Sequence, residues 1–303
     1  MSVGGVWTLR REDDRYPPAL ADLDERPEGV DPAPALLYGC GRLEALAPLA
    51  RGDAVTIVGS RRASGYGIGV ARRLSADLAR AGVAVVSGLA YGIDSAAHSG
   101  ALQAAGVTVA VLAGGPDVVY PRSAASLYRT ILRGGAAISE HLPGTLPERW
   151  SFPTRNRIMA ALAPVTIVVE AAEPSGSTIT ARIALALGRT VAAVPGPVTS
   201  RVAAGTTALL RDGAAPIATP EDVLDLLYGV GARCAVRSGP ALDPELEPVL
   251  VAVEGGAQSA DAVALATRLG AREATVALTR LELLGYLASS TGGLYERTGL
   301  QAP

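Results

Sequence analysis

The sequence runs to 303 residues, enough to bury a large core, and is 49% hydrophobic with only 4% aromatic residues, so that core must rest on Ala, Val, Leu and Ile. A net charge of −2 excludes indiscriminate coating of nucleic acid but leaves room for a local basic groove. All 27 basic residues are arginine, so the chain cannot build a Walker A phosphate loop, a pyridoxal Schiff base, a protein-kinase site or a Ser/Lys hydrolase site, each of which needs a lysine.

The first residues, MSVGGVWTLRREDDRYPP, lack the apolar stretch of a signal peptide, and no apolar run approaches membrane-spanning length, so the expectation is a cytoplasmic protein with no membrane partner. Residues 1–50, rich in Pro and acidic groups, read as an irregular lead-in. Cys40 and Cys234 stand alone, which supports neither a disulfide framework nor a zinc site.

From residue 51, apolar strand-like runs alternate with helical spacing. The strands are expected at Ala54–Val58, Val83–Val86, Val107–Leu112, Ala136–Ser139, Val165–Val169 and Thr190–Val194, with helices near 67–81, 92–105, 123–133, 155–163 and 177–187. Continuous apolar strands between amphipathic helices point to a doubly wound parallel sheet covered on both faces. Each strand ends in a polar or glycine-rich turn, and in a parallel sheet all these turns share the carboxyl edge, where such folds bind ligands.

The first turn, GSRRASGYG, exposes backbone N–H groups at a helix N-terminus beside Arg61 and Arg62, a setting suited to phosphate or carboxylate. It also resembles the nucleotide turn of short-chain dehydrogenases. Their Tyr/Lys pair is missing, and Ser87 and Gly88 stand where an acidic ribose-binding residue is required. In the second turn, SGLAYGID, Asp94 reads as a helix N-cap, the other reading being an acid-base pair with His98 four residues on. The fourth, ERWSFPTRNR, interleaves Trp150 and Phe152 with Arg149, Arg155 and Arg157, a mixture suited to single strands; taken singly, each ring reads as core, and Arg155 and Arg157 as ligand contacts rather than partners of Glu140, Glu148 or Glu170. In the fifth, EAAEPSGST, Ser175, Ser177, Thr178 and Thr180 either donate to phosphate or cap a helix.

GSRRASGYG, SGLAYGIDSAAHSGAL, VAVLAGGPDVVYP, SEHLPGT, FPTRNRIMA, VVEA with SGSTITA, and GRTVAAVPG follow one another in the order and spacing of the DNA-processing protein A family, DprA/Smf, and the resemblance covers roughly residues 8–228. It implies an α/β fold, an extended Rossmann-like, doubly wound and mostly parallel sheet. It implies a non-enzymatic protein that binds single-stranded DNA, forms homodimers and helps load a RecA-type recombinase during natural transformation. Position by position, the DNA site implied comprises Gly59, Ser60, Arg61, Arg62, Ser64 and Gly65 of the first turn, Gly88, Gly92, Ile93 and Asp94 of the second, Phe152, Arg155, Asn156 and Arg157 of the fourth, and Ser175, Gly176 and Ser177 of the fifth. No catalytic residue, metal or cofactor is expected. The chain departs from the family at Pro174, where a basic residue is common before SGS, and at Ala124 and Thr207, where Asn is common.

After a linker at 229–244, helices expected at Glu245–Glu254, Ser259–Leu269 and Glu273–Leu284, and a β-wing at Tyr286–Arg297 around Gly292 and Gly293, resemble a winged-helix domain over 245–299. Its third helix, REATVALTRLELLGY, is poor in base-reading side chains, which favours a partner-contact or structural role. Two other functions fit the same rim: a nucleotide-binding Rossmann-like enzyme of the phosphoribohydrolase type, whose PGGxGT turn VPGPVTS does not reproduce, and a nucleotide-sensing module.

Overall fold

A computed structural model describes residues 5–25, 29–233, 237–289, 293–298 and 300–301. The chain divides into two compact units, residues 1–233 and 234–303.

The larger unit is built on a nine-stranded sheet. In chain order its elements are β1 (Trp7–Arg10), β2 (Leu36–Gly41), α1 (Ala47–Ala50), β3 (Ala54–Val58), α2 (Gly65–Arg80), β4 (Ala84–Ser87), α3 (Ile93–Gln103), β5 (Thr108–Val111), α4 (Ala125–Gly134), β6 (Ala136–Ser139), α5 (Ser151–Leu162), β7 (Val165–Val168), α6 (Gly176–Ala186), β8 (Thr190–Ala193), α7 (Ala204–Arg211), β9 (Ala215–Pro216) and α8 (Pro220–Tyr228). The strand order is β1-β2-β6-β5-β4-β3-β7-β8-β9, parallel from β6 to β9. β3 through β7 are wholly buried along their length because helices cover both faces, which is why each is apolar but for one buried Ser or Thr rather than alternating. The doubly wound, mostly parallel sheet read from the periodicity is therefore present.

Residues 1–50 are not an irregular lead-in. β1 and β2 pair antiparallel with each other, and β2 pairs antiparallel with β6, so both extend the sheet. Leu9 and Leu37 are buried in this extension, and full burial of such a side chain is worth about 1.5–3 kcal/mol. Gly39 makes room for the ring of Trp7, since a Cβ there would lie 2.2 Å from it, and the indole donates to the Gly41 carbonyl at 3.1 Å. The helices α7 and α8 were also not anticipated; α8 carries a capping box in which Thr219 and Asp222 bond reciprocally, with Pro220 at the first helical position.

The smaller unit contains β10 (Arg237–Ser238), α9 (Glu247–Glu254), α10 (Ala260–Thr267), α11 (Ala271–Leu283), β11 (Leu287–Ser289), β12 (Tyr295–Arg297) and β13 (Leu300–Gln301). β11 and β12 form the antiparallel wing; Gly292, expected at its tip, and Cys234 lie outside the described residues. β10 pairs with β13, so part of the expected linker belongs to this unit. Val249, Val263, Leu278, Leu281 and the fully buried Tyr286 form its own core.

Candidate functional site

The order of the strands decides where a ligand can sit. β3 and β7 are neighbours, but the chain leaves β3 toward β4 on one side and leaves β7 toward β8 on the other, so the loops beyond their carboxyl ends part and open a crevice. A cleft of about 970 Å³ lies there.

One wall is the turn after β3. Its backbone is stitched to the end of β7: the Ser60 N–H donates to the Glu170 carbonyl at 2.6 Å, and the Glu170 carboxylate accepts from the Ser64 N–H at 2.8 Å and the Ser64 hydroxyl at 2.5 Å. Ser64 in turn caps α2 by accepting from the Gly67 N–H. The positive end of α2 is thus filled by the protein's own carboxylate, which sits so close that a Cβ on Gly67 would meet Glu170 Oε2 at 2.4 Å. Of the donors expected to cradle phosphate in this turn, the Ser60 N–H and both the N–H and hydroxyl of Ser64 are instead spent on Glu170. Arg61 and Arg62 remain exposed and line the cleft.

The second turn lies beneath the first. Gly92, at φ +76°, passes so near the first turn that a Cβ would lie 2.2 Å from the Ser60 carbonyl oxygen, and the buried Ile93 donates its N–H to that oxygen. Asp94 is not the N-cap of α3; Gly92 holds that position, and the Asp94 carboxylate accepts from the N–H groups of Gly88 and Ala90, within the preceding loop. His98 does not pair with Asp94 either. Its Nδ1 meets Thr108 Oγ1 at 2.7 Å, and because the Thr108 hydroxyl donates to the Val85 carbonyl, Nδ1 must carry the proton. Burial, reinforced by the Arg155 cation, holds the His98 pKa down to about 3.

Arg155 forms the floor. It is 4% exposed and donates to the carbonyls of Gly88 and Val111. Burial pulls its pKa down to about 10 against the stabilising pull of Asp94, whose own pKa burial raises. It touches the cleft but spends its donors on the fold. Arg157 is farther from the expected role: 3% exposed, it forms a two-pronged pair with Glu140 at 2.8 and 2.6 Å and donates to the carbonyls of Asp31 and Pro32. It clamps the N-terminal segment to α5 and does not line the cleft. The helical spacing put Arg155 and Arg157 beside the crevice but could not say that both point inward.

The aromatic side chains divide unexpectedly. Phe152 lines the cleft with the Arg61 guanidinium 5.1 Å above its ring centre and Tyr120 tilted against it at 5.4 Å. Trp150, read as core, is 57% exposed, its indole edge-on to His141 and bonded to Glu148.

The opposite wall is the start of α6. Ser175 accepts from the Ser177 N–H, the two hydroxyls are 2.8 Å apart, and Asn156 donates to the Gly176 carbonyl. The first turn of α6 holds no acidic residue, and Ser175, Gly176 and Ser177 face the cleft, so this helix end, unlike that of α2, presents its dipole to a ligand. Arg149 and Arg201 complete the lining, which carries five arginines against Asp94 as its acidic residue. Arg61, Arg62, Arg149 and Arg201 form no ion pair among the described residues. Tyr120 and Arg201 were missed as site residues. Their only signal was position, in the third and sixth turns of the same sheet edge. No group of three or more metal-ligating side chains occurs among the described residues, and no helix there is long and apolar enough to cross a membrane.

Comparison with known proteins places this architecture. The profile described as DNA recombination-mediator protein A matches residues 7–228. The chain belongs to that family. A DprA winged helix domain profile matches residues 235–293, so the small unit is a winged-helix domain. The DprA protein of Mycobacterium tuberculosis is 42% identical over 93% of this chain and 74% of its own length, and the Smf protein of Escherichia coli 36% identical over 92% and 74%. Among solved structures, DNA processing protein A of Streptococcus pneumoniae superposes with a TM-score of 0.65 at 36% identity, covering 74% of this chain and 75% of that one. The Helicobacter pylori protein, whose structure was described for its single-stranded DNA binding mode, superposes at 0.64 and 30% identity over 75% and 98%. Pro174, the residue before SGS, lines the cleft, and so does Arg201.

Proposed function

We propose that the switch-point cleft binds single-stranded DNA with little sequence preference, and that the protein is a recombination mediator rather than an enzyme. One observation carries this reading: the cleft combines four arginines without ion pairs among the described residues, a ring pair and a helix N-terminus free of acidic residues in its first turn, so phosphates and bases both find partners. Membership of the family supports the remainder of the proposal, in which the protein acts as a homodimer and delivers the bound strand to a RecA-type recombinase in natural transformation. The alternative of a nucleotide-processing enzyme loses support at the first turn, because Glu170 occupies the helix end where a Rossmann fold seats a nucleotide phosphate.

The test is a titration of fluorescent single strands with duplex and free nucleotides as competitors. Preference for single strands by at least tenfold over duplex is expected, with no competition by nucleoside monophosphates. Hydrolysis of nucleoside monophosphates in proportion to protein added overturns the reading.

A further inference from the structure

We propose that Tyr120 is the base-stacking side chain of the cleft, taking an unpaired nucleobase on its ring. This deepens the single-strand reading and rests on it.

The rings of the cleft are not equivalent. Phe152 is partly covered: Arg61 lies over its ring and Tyr120 leans on it. A base approaching Phe152 must displace the guanidinium. Tyr120 lines the same cleft and is 52% exposed, so much of its ring surface is open. Its hydroxyl bonds to none of the described residues, whereas the hydroxyls of Tyr16, Tyr66, Tyr128 and Tyr228 each hold a protein carbonyl or carboxylate. Neither burial nor a hydrogen bond therefore explains a tyrosine here. Its position is nonetheless fixed, since Pro121 beside it is buried and its ring packs at 57° to Phe152. A ring held in place and left open, next to arginines that hold phosphate, is the geometry that single-strand binding requires: the backbone follows the charges and the bases turn onto the aromatic face. Such stacking tolerates any base because every base has a π-face, and it favours purines through greater overlap.

The phosphate contacts and the stacking contact differ in what they respond to. Removing an arginine flattens the salt dependence; removing a stacking ring does not, because no counterion is released by stacking. The experiment uses the full chain with labelled oligodeoxyadenylate and an abasic strand of equal length, across a salt series, for wild type, Tyr120→Leu and Tyr120→Phe. Expected is at least a fivefold loss for Tyr120→Leu on the adenylate strand, no loss on the abasic strand, an unchanged salt slope, and recovery in Tyr120→Phe. In parallel, wild-type protein is irradiated on a strand carrying 5-iododeoxyuridine; a crosslink mapped to Tyr120 is expected, and this arm does not depend on any variant folding. Equal binding by Tyr120→Leu and wild type, an equal loss on the abasic strand, a loss in Tyr120→Phe as large as in Tyr120→Leu, or crosslinks only elsewhere would each overturn the proposal. A wild-type protein that binds no single strand overturns the underlying reading as well, and so is distinguished from these outcomes.

Discussion

Arg61 and Arg157 were alike in the sequence and are opposites in the structure. Arg61 is exposed at the cleft wall with its guanidinium over Phe152, whereas Arg157 is buried against Glu140 and two backbone carbonyls. Arg61→Ala is expected to weaken single-strand binding roughly tenfold, the worth of one charge-assisted contact, and to flatten the slope of log affinity against log salt by about 0.7. Fluorescence titration at several salt concentrations measures both. Arg157→Ala should act on folding instead. It leaves a largely buried carboxylate and two carbonyls without their donor, which costs on the order of 3–5 kcal/mol. A melting temperature close to wild type for Arg157→Ala would refute this. The sequence offered Glu140 among the possible partners of Arg157 but could not choose between that pair and a ligand contact, because only the fold brings the end of β6 against α5.

Two helix starts face the crevice, and only one is open. At α2, Glu170 satisfies the helix end; at α6, Ser175 and Ser177 leave it toward the cleft. Glu170→Gln keeps an acceptor but removes the charge, so it is expected to lower stability by about 1–2 kcal/mol in denaturant melts while single-strand affinity stays within about twofold. A large gain in affinity would mean that this end holds phosphate after all. Gly92→Ala is a stronger perturbation, because φ +76° is strained for alanine and its Cβ would clash with the Ser60 carbonyl. It should cost at least about 1 kcal/mol and, by displacing the turn that carries Arg61, weaken binding. Elements of this central region were legible from the chain. The strand at Ala136–Ser139 and the starts of β3, β7 and β8 coincide with the apolar runs, since a strand covered on both faces carries no alternating solvent-facing positions and its few polar residues are single small hydroxyls. β1 and β2 were not legible: WTLR and LLYGCG are short, hold charge or glycine, and become strands only through pairing with each other and with β6.

Over the whole molecule, buried ionisable groups set the response to acid. The unfolded His98 takes up a proton below about pH 6.5, whereas the folded residue stays neutral to about pH 3. In that window the unfolded state binds more protons, so stability falls as pH falls, by up to roughly 1.4 kcal/mol per pH unit. Asp94, raised by burial, works in the opposite sense, so the His98 contribution is read as the difference between wild type and a His98 variant between about pH 6.5 and 5. Chemical denaturation across that interval should show the slope in wild type and its absence in a folded His98→Gln variant. The division into two units gives a further prediction. Tyr228 bonds to Asp53 at 2.9 Å and Arg233 stacks on the Tyr228 ring, so the larger unit closes at Arg233 rather than at Gly229. A chain ending after Arg233 should unfold cooperatively and keep single-strand affinity within a fewfold, while one ending before Tyr228 should melt lower. Loss of binding in the cooperatively folded longer fragment would assign DNA contact to the winged-helix domain.

The sequence by itself determined the class of the sheet, the shared edge of its turns, the basic and aromatic character of that edge and the family, because apolar periodicity and motif order are local properties carried along the chain. Tertiary structure alone decided which members of that edge reach the ligand. Arg155, Arg157 and Ser64 have the right chemistry and the right spacing, but each meets a partner brought from elsewhere, Arg155 the Val111 carbonyl, Arg157 the Glu140 carboxylate and Ser64 the Glu170 carboxylate, while Asp94 turns back onto the amides of its own loop. Tyr120 and Arg201 were inconspicuous in sequence and enter the cleft only because strand order folds their turns over it. A buried polar group must find a partner in the fold, and an exposed one need not, so burial rather than residue type separates the groups that hold the protein together from those left open in the cleft.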